Sequence, residues 1–246
     1  MVRILHRSET VVVVDKPTGV PVHATRGAVG TPMLQRLRDA LGQRVWPLHR
    51  LDAATSGALA FGLAAETASA LAPRFGTDAV EKRYVALVRG VPPDAGVIDH
   101  PVPRSAGGPR VPAVTLYRRV WTTGRYSLVA VRPGTGRRHQ IRRHLKHESW
   151  PLIGDVRYGK GDHNRWARSE LGLHRLALHA TFLGLDDGAR RIRAEAELPP
   201  DLADPLMRLG VSPDLLRALP ATALPSPPAP RVGVEQSDCL GADVEP

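Results

Sequence analysis

The stretch His49-Arg50-Leu51-Asp52-Ala53-Ala54-Thr55-Ser56-Gly57 lies between two apolar segments, Val45-Trp46-Pro47-Leu48 and Ala58-Leu59-Ala60-Phe61-Gly62-Leu63. The second segment is a short continuous apolar run and reads as a buried strand. The nine residues before it are then a short connection onto a rigid element, where reactive side chains commonly sit. Asp52 is the only acid in the connection, and Thr55, Ser56 and Gly57 turn the chain and offer hydroxyls and backbone N–H groups. A bare Arg-Leu-Asp most often braces a turn; the full nine-residue string asks for more than that.

Working outward, Val11–Val14 forms an all-valine strand that runs into Asp15-Lys16-Pro17-Thr18-Gly19, a turn signature. Thr31-Pro32 opens a helix, with Met33, Leu34, Leu37 and Leu41 at helical spacing and Gly42 at its end. After the central strand, the pattern predicts a helix over about 66–75 and a strand over 82–89. A strand pair over 113–121 and 126–131 turns at Thr123-Gly124, and a basic helix begins at about Arg138. Two strands follow, over 174–185 and 192–198. The connections are short and hairpin-like, and no internal repeat is visible. The expected architecture is α+β: one domain over residues 1–219, with a mixed, largely antiparallel sheet flanked by helices and loops. Pro220–Pro230 has five prolines in eleven residues, so residues 220–246 read as a Pro/Ala-rich, disordered C-terminal tail.

The chain has 246 residues, enough to bury a core without staples. Its single cysteine, Cys239, excludes a disulfide framework and a cysteine-based zinc site and fits a reducing, cytoplasmic setting. The apolar run Ala58–Ala65 is too short to span a bilayer, and MVRILHRSET has no signal-peptide core. Thirty-four Lys and Arg against 24 Asp and Glu give a net charge of +10, even though Glu235–Pro246 carries four acids and no base. All the bases but Lys16, Lys82, Lys146 and Lys160 are arginine. The planar guanidinium suits phosphate and stacks on bases, so RNA or DNA is the first partner to consider, against a bland reading of solubility alone.

Three further stretches carry chemistry. In Lys82-Arg83-Tyr84-Val85-Ala86-Leu87-Val88-Arg89-Gly90, Tyr84, Ala86 and Val88 share one strand face. Tyr84 is therefore either a core residue or a platform on which a base stacks. Arg132–His147 holds six Lys/Arg, three histidines and no acid. On a helix from Arg138, residues Arg138, Arg142 and Lys146 line one face, and such a face calls for phosphates outside and a carboxylate such as Asp52 inside. The glycines there lack the Gly-Lys-Ser/Thr of a nucleotide-hydrolase loop. Cationic neighbours oppose metal binding by His139, His144 and His147. The fourth stretch, Gly154-Asp155-Val156-Arg157-Tyr158-Gly159 with His163-Asn164-Arg165, reads alone as a polar loop, and His179 as a satisfied core histidine.

Taken together, His-Arg-Leu-Asp-x-x-Thr-Ser-Gly at 49–57, Lys-Arg-Tyr-x-Ala-x-Val-x-Gly at 82–90 and Thr-Gly-Arg-Arg-His-Gln-Ile-Arg at 135–142 resemble, in order and spacing, the motifs of the RluA-type pseudouridine synthases. The likeness runs over roughly residues 4–210. Gly154-Asp155, Gly159, His163-Asn164-Arg165 and Pro112-Ala113-Val114-Thr115-x-Tyr117 make the tRNA pseudouridine synthase C branch the nearest. The chain departs from the family at Ala53, where many relatives carry a longer, often basic residue.

The resemblance implies the pseudouridine synthase fold, an isomerase with no cofactor and no metal, and RNA as partner. The substrate is a specific uridine, in tRNA by the branch and then U65. The glycosidic C–N bond breaks, the uracil rotates and a C–C bond forms. The implied catalytic residues are Asp52 as nucleophile or eliminating base, Tyr84 stacked on the uracil where a proton leaves it, and Arg142 as the cation that keeps Asp52 ionised. Arg50 would fill the space left by the everted uridine, Ile141 would wall the pocket, and Arg137, Arg138 and His139 would contact the substrate. The chain is expected to act as a cytoplasmic monomer with no obligate protein partner and no membrane attachment. Two other readings stay open at this point: an rRNA target for the same chemistry, and a non-catalytic RNA-binding protein on the same scaffold. A DNA-binding regulator lacks any helix-turn-helix or finger pattern.

Overall fold

All four valines of Val11–Val14 are fully buried, which a strand achieves only when both faces of its sheet are covered. The structure is a computed structural model that describes residues 1–24 and 30–226. Its elements in chain order are β1 (Arg3–Arg7), β2 (Val11–Lys16), α1 (Met33–Leu41), β3 (Trp46–Pro47), β4 (Ser56–Gly62), α2 (Ala65–Leu71), β5 (Glu81–Arg89), β6 (Ala95–Asp99), β7 (Val102–Pro103), β8 (Arg110–Val111), β9 (Val114–Thr123), β10 (Tyr126–Pro133), α3 (Gln140–His147), α4 (Gly161–Leu171), β11 (Leu178–Asp186), β12 (Arg191–Glu195), α5 (Pro200–Arg208) and α6 (Pro213–Ala218).

One sheet runs in the order β1-β2-β4-β11-β5-β10-β9-β6, with β12 paired to β11 and β3 to β4; β7 and β8 form a separate two-stranded hairpin. Every pairing in the large sheet is antiparallel except β4 with β11. The α+β architecture with a mixed, largely antiparallel sheet is therefore as expected. Side chains alternate between two buried layers. Val12, Val14, Leu59 and Phe61 face Met33 and Leu37 of α1 and Ile141 and Leu145 of α3. Val11, Val13, Ala58 and Ala60 face Leu71 of α2 and Phe75. Farther along that second face, Val85, Leu87 and Leu128 pack on α4 and α5 through Ala167, Leu171, Leu202 and Leu206. Each fully buried Leu, Val or Phe contributes about 1.5–3 kcal/mol relative to exposure.

The single parallel contact pairs His179 with Ser56 and Ala180 with Gly57. Gly57 has φ +108°, and a Cβ there would lie 2.2 Å from the Ala180 carbonyl oxygen. Only glycine permits so close an approach in that conformation. It fixes where the Asp52 connection leaves the sheet.

Several boundaries differ from expectation. The helix predicted over 66–75 ends at Leu71 and continues as a 3-10 turn over Ala72–Gly76, because Pro73 cannot donate a helical bond. The strand predicted from His174 begins at Leu178; residues before it serve as a connector, with Ala177 donating to Ile153 O and accepting from Leu87 N. The basic helix starts at Gln140 rather than Arg138, so Arg138 does not share a helical face with Arg142 and Lys146. Helices α4, α5 and α6 and strand β1 have no counterpart among the elements expected from the sequence. At the start of the expected tail, Arg83 donates to Pro220 O and Arg118 to Ala223 O; residues 227–246, Cys239 among them, lie outside the described residues. No helix among the described residues is long and apolar enough to cross a membrane.

Candidate active site

The connection carrying Asp52 is held from below. Lys16, fully buried at the end of β2, donates through Nζ to Pro17 O (2.8 Å), Val20 O (2.7 Å) and Ala53 O (3.0 Å). Burial, with Arg175 next, pulls its ammonium down to about 7; three acceptors call for the three N–H groups that only the ammonium form has. Thr18 Oγ1 donates to Ala54 O at 2.9 Å, and Thr55 N to Asp52 O at 3.0 Å. Ser56 joins a buried network: its hydroxyl accepts from Arg175 Nη2 and donates to His179 Nδ1 at 2.7 Å, while His179 Nε2 lies 3.1 Å from Ala196 O. His179 is thus the satisfied core histidine the sequence suggested. His49 stacks on Phe75, with ring centroids 4.6 Å apart, and accepts the Ala60 N–H. Burial, with Lys82 second, brings it down to about 3, so it is a neutral wall.

The opposite side of the site comes from the 135–142 string. The Gln140 side chain is buried and acts as its clasp. Its Oε1 accepts from Thr135 Oγ1 (2.6 Å) and Arg137 N (3.0 Å), and its Nε2 donates to Val114 O (2.8 Å) and Thr115 Oγ1 (3.0 Å). This folds the chain back so tightly that His139 takes a left-handed conformation, φ 53° and ψ 26°. That backbone is uncommon for a residue with a Cβ, though histidine is among the more tolerant.

The two sides meet at Asp52. Arg142 Nη1 donates to Asp52 Oδ2 at 3.0 Å. The rest of the guanidinium is held by Asp155, Nε to Oδ2 at 2.8 Å and Nη2 to Oδ1 at 2.9 Å. The Asp155 side chain is fully buried, and its Oδ1 also accepts from Arg157 N and Tyr158 N. Burial opposes the charge on both partners. The bonds from Arg142 nevertheless hold the Asp155 carboxyl below its usual range, and Asp155 first, then Asp52, hold Arg142 above its own. The Gly154-Asp155 turn is pinned by Asn164 of α4, which accepts from Gly154 N (2.8 Å) and donates to Asp155 O (2.9 Å). On the other oxygen of Asp52, His139 Nε2 stands 3.6 Å from Oδ1. Tyr84 is buried on β5, and burial first, with Asp52 second, pushes its phenol well above its ordinary value.

Arg50, Asp52, Tyr84, Arg137, Arg138, His139, Ile141 and Arg142 all line one cavity of about 380 Å³. This is the full set singled out in the sequence, and the volume is of nucleoside scale. Arg50 and Arg138 are exposed at the rim, Arg137 is half-buried and bonded to Pro112 O, and Ile141 is buried. Asp155, Gln140 and Tyr158, which brace Arg142, the 135–142 string and His139, are not singled out by the sequence. All three stand in strings quoted above, yet a polar loop gives no sign of what it grips. His139 lies between Tyr158 and Asp52, away from any metal-ligating set of three. His144 bonds Thr115 Oγ1 and His100 O, and His147 stacks on His100. Among the described residues no group of three His, Cys, Asp or Glu side chains is set to hold a metal ion.

Such a site can hold a flat, uncharged ring against Tyr84 and Ile141, present the Asp52 carboxyl group to it, and meet phosphates at an arginine rim. Comparison with known proteins gives a consistent result. The family described as RNA pseudouridylate synthase matches residues 10–147. The chain is 39% identical over 206 residues to the tRNA pseudouridine synthase C of Haemophilus ducreyi, covering 73% of this chain and 83% of that one. It is 38% identical over 206 residues to the protein of the same name from Vibrio cholerae, covering 74% and 84%. Among solved structures, human RNA Pseudouridylate Synthase Domain Containing 4 superposes with TM-score 0.69 at 28% identity, over 84% of this chain and 92% of that one.

Proposed function

The chain belongs to the RNA pseudouridylate synthase family, and from that premise we propose that it converts a specific uridine of tRNA to pseudouridine with Asp52 as the nucleophile. The relatives named for tRNA favour tRNA over rRNA, and the resemblance carried by the sequence motifs gives U65 as the target. The observation that carries the reading is the contact of Asp52 with Arg142 at 3.0 Å inside a cavity walled by Tyr84 and Ile141.

Each role follows from that setting. A carboxylate in a partly dry cleft is strongly disfavoured unless paired, and Asp52 has its pair in the Arg142 guanidinium, Nη1 to Oδ2 at 3.0 Å. Asp52 is then ready to attack the sugar or to abstract a proton in an elimination route. Detached uracil stays between Tyr84 and Ile141 and rotates, so that its C5 replaces N1 at the sugar carbon. The C5 proton leaves and N1 regains one, so atoms balance with nothing added. Tyr84 enters as the neutral phenol, since its proton is held more tightly than usual; it stacks on the ring and passes a proton on rather than starting as phenolate. Arg50, exposed at the rim, takes the place of the everted uridine, offsetting an extrusion cost of a few kcal/mol. Arg137 and Arg138 meet the flanking phosphates. All these groups come from one chain, so a monomer without a protein partner suffices. We place the reaction in the cytoplasm, in keeping with the single cysteine.

The test is incubation with tRNA tritiated at uridine C5, followed by nucleotide-resolution mapping. Tritium release with a new pseudouridine in tRNA, at U65, is expected. Release from rRNA alone would move the target, and no release from either would leave an RNA-binding protein.

A further inference from the structure

Tyr158 lies on the loop after α3 and touches both groups that face Asp52. Its ring carries the Arg142 guanidinium, 5.1 Å from the ring centroid. Its hydroxyl lies 3.0 Å from His139 Nδ1 and accepts from Arg143 Nε at 3.2 Å. Arg143 is itself fixed by a bond from Nη1 to Pro103 O at 2.6 Å.

These contacts set the direction of a proton chain. A guanidinium nitrogen can only donate, so the Tyr158 oxygen is the acceptor from Arg143. The phenol's own proton is then free for its remaining neighbour, His139 Nδ1. Burial, ahead of every nearby charge, draws His139 down to about 4, so the imidazole is neutral at neutral pH and carries one proton. With Nδ1 accepting, that proton is on Nε2, the nitrogen that faces Asp52 Oδ1 at 3.6 Å. An N–H toward a carboxylate is attractive, whereas a lone pair there would repel it, so both ends of the chain agree. Contacts of this kind are often long in a free enzyme and tighten when substrate binds.

We propose that Tyr158 is a positioning residue for the reaction: its hydroxyl, occupied by Arg143, fixes His139 as the Nε2–H tautomer, so that His139 presents a neutral N–H to the Asp52 oxygen that Arg142 leaves free. This assigns His139 to the carboxylate rather than to the substrate. The left-handed backbone that the Gln140 clasp imposes on His139 sets its ring between Tyr158 and Asp52. A neutral donor fixes the rotation of the carboxylate without adding a second cation beside it, which would dull it as a nucleophile.

The inference rests on Asp52 being the reactive group, and the experiment separates the two. Nitrogen-15 NMR of the histidine rings in the free wild-type protein reads the tautomer directly. His139 is expected as Nε2–H, and in Tyr158→Phe the Nδ1–H form gains population. Turnover of Tyr158→Phe on tRNA should fall at least about tenfold with KM within twofold of wild type. His139→Gln, which keeps a side-chain N–H, should retain more turnover than His139→Ala. An Nδ1–H wild type, full turnover in Tyr158→Phe, or a loss confined to KM would each overturn the proposal. Asp52→Asn is run alongside: if it stays active, the reading of Asp52 fails. If it is dead while Tyr158→Phe turns over normally, only the role of Tyr158 fails.

Discussion

Arg142 reaches across 90 residues of sequence to place Nη1 3.0 Å from Asp52 Oδ2. Its other two nitrogens are committed to Asp155, 13 residues away. One guanidinium therefore serves two carboxylates of different exposure. Asp155 is fully enclosed, while the Asp52 side chain is 23% exposed to the cavity. The enclosed acid anchors the cation, and the open acid takes one guanidinium bond, with His139 Nε2 3.6 Å from its other oxygen.

Asp52→Ala and Asp52→Asn should fold and bind tRNA yet form no pseudouridine, a loss of at least about a thousandfold in single-turnover tritium release. Turnover near wild type in either variant would remove Asp52 from the chemistry.

Removing Arg142 leaves two carboxylates facing each other, one of them buried. Arg142→Ala should cost about 3–5 kcal/mol of stability and abolish turnover. Arg142→Lys keeps the charge but lacks the three-point fork, so it should fold better and still lose most of its activity. Thermal melts and turnover, measured together, check this; wild-type turnover in Arg142→Ala would assign the partner role elsewhere.

Tyr84→Phe keeps the ring and loses the hydroxyl. Its tRNA affinity should stay close to wild type while the step that moves the C5 proton slows. Tyr84→Ala should also lose about 1–3 kcal/mol of stacking. Equal losses in both variants would assign the whole effect to the hydroxyl.

Arg50 and Arg138 stand at the exposed rim. Arg138→Gln should flatten the plot of log affinity against log salt by about 0.7–0.9 for every phosphate the arginine neutralises. An unchanged slope, from filter binding at several salt concentrations, would take that arginine off the backbone of the RNA.

Acid should unfold this protein early. Burial brings His144 and His179 from 6.5 to about 4, and His49 to about 3. Between pH 6.5 and 4 the unfolded chain takes up protons that these folded-state rings refuse, so stability falls as pH drops through that window. The midpoint of thermal unfolding should decline by about 10 °C or more from pH 7 to pH 4.5. A flat profile would mean the rings find room or partners when charged.

The sequence showed more of the site than of its support. Asp52, Tyr84 and Arg142 were legible because each sits in a dense local string, and those strings converge on one cavity. The valine run and the apolar segment after Gly57 were legible as strands because nothing polar interrupts them. Asp155 was hidden because its importance depends on α3 packing back over the 154–159 loop, a long-range event with no local spacing. The start of α3 departs from its spacing for a related reason. Arg138 and His139 have acceptable helical propensity, but the Gln140 side chain ties up Thr135 and Arg137 and forces His139 out of the helical region. Propensity yields there to a tertiary hydrogen-bond clasp.

Strand β11 lies between β4 and β5 and is the seam through which the two halves of the sheet are joined. Asp52 belongs to the earlier half, and Tyr84 and Arg142 to the later one. During synthesis on the ribosome the reactive groups emerge long before the strand that draws them together. A nascent chain stopped short of Leu178 carries Asp52, Tyr84 and Arg142 but lacks the strand that joins the two halves of the sheet. Such sequence-distant pairing is slow to form, so assembly of the site is expected to wait until most of the folded domain has left the exit tunnel.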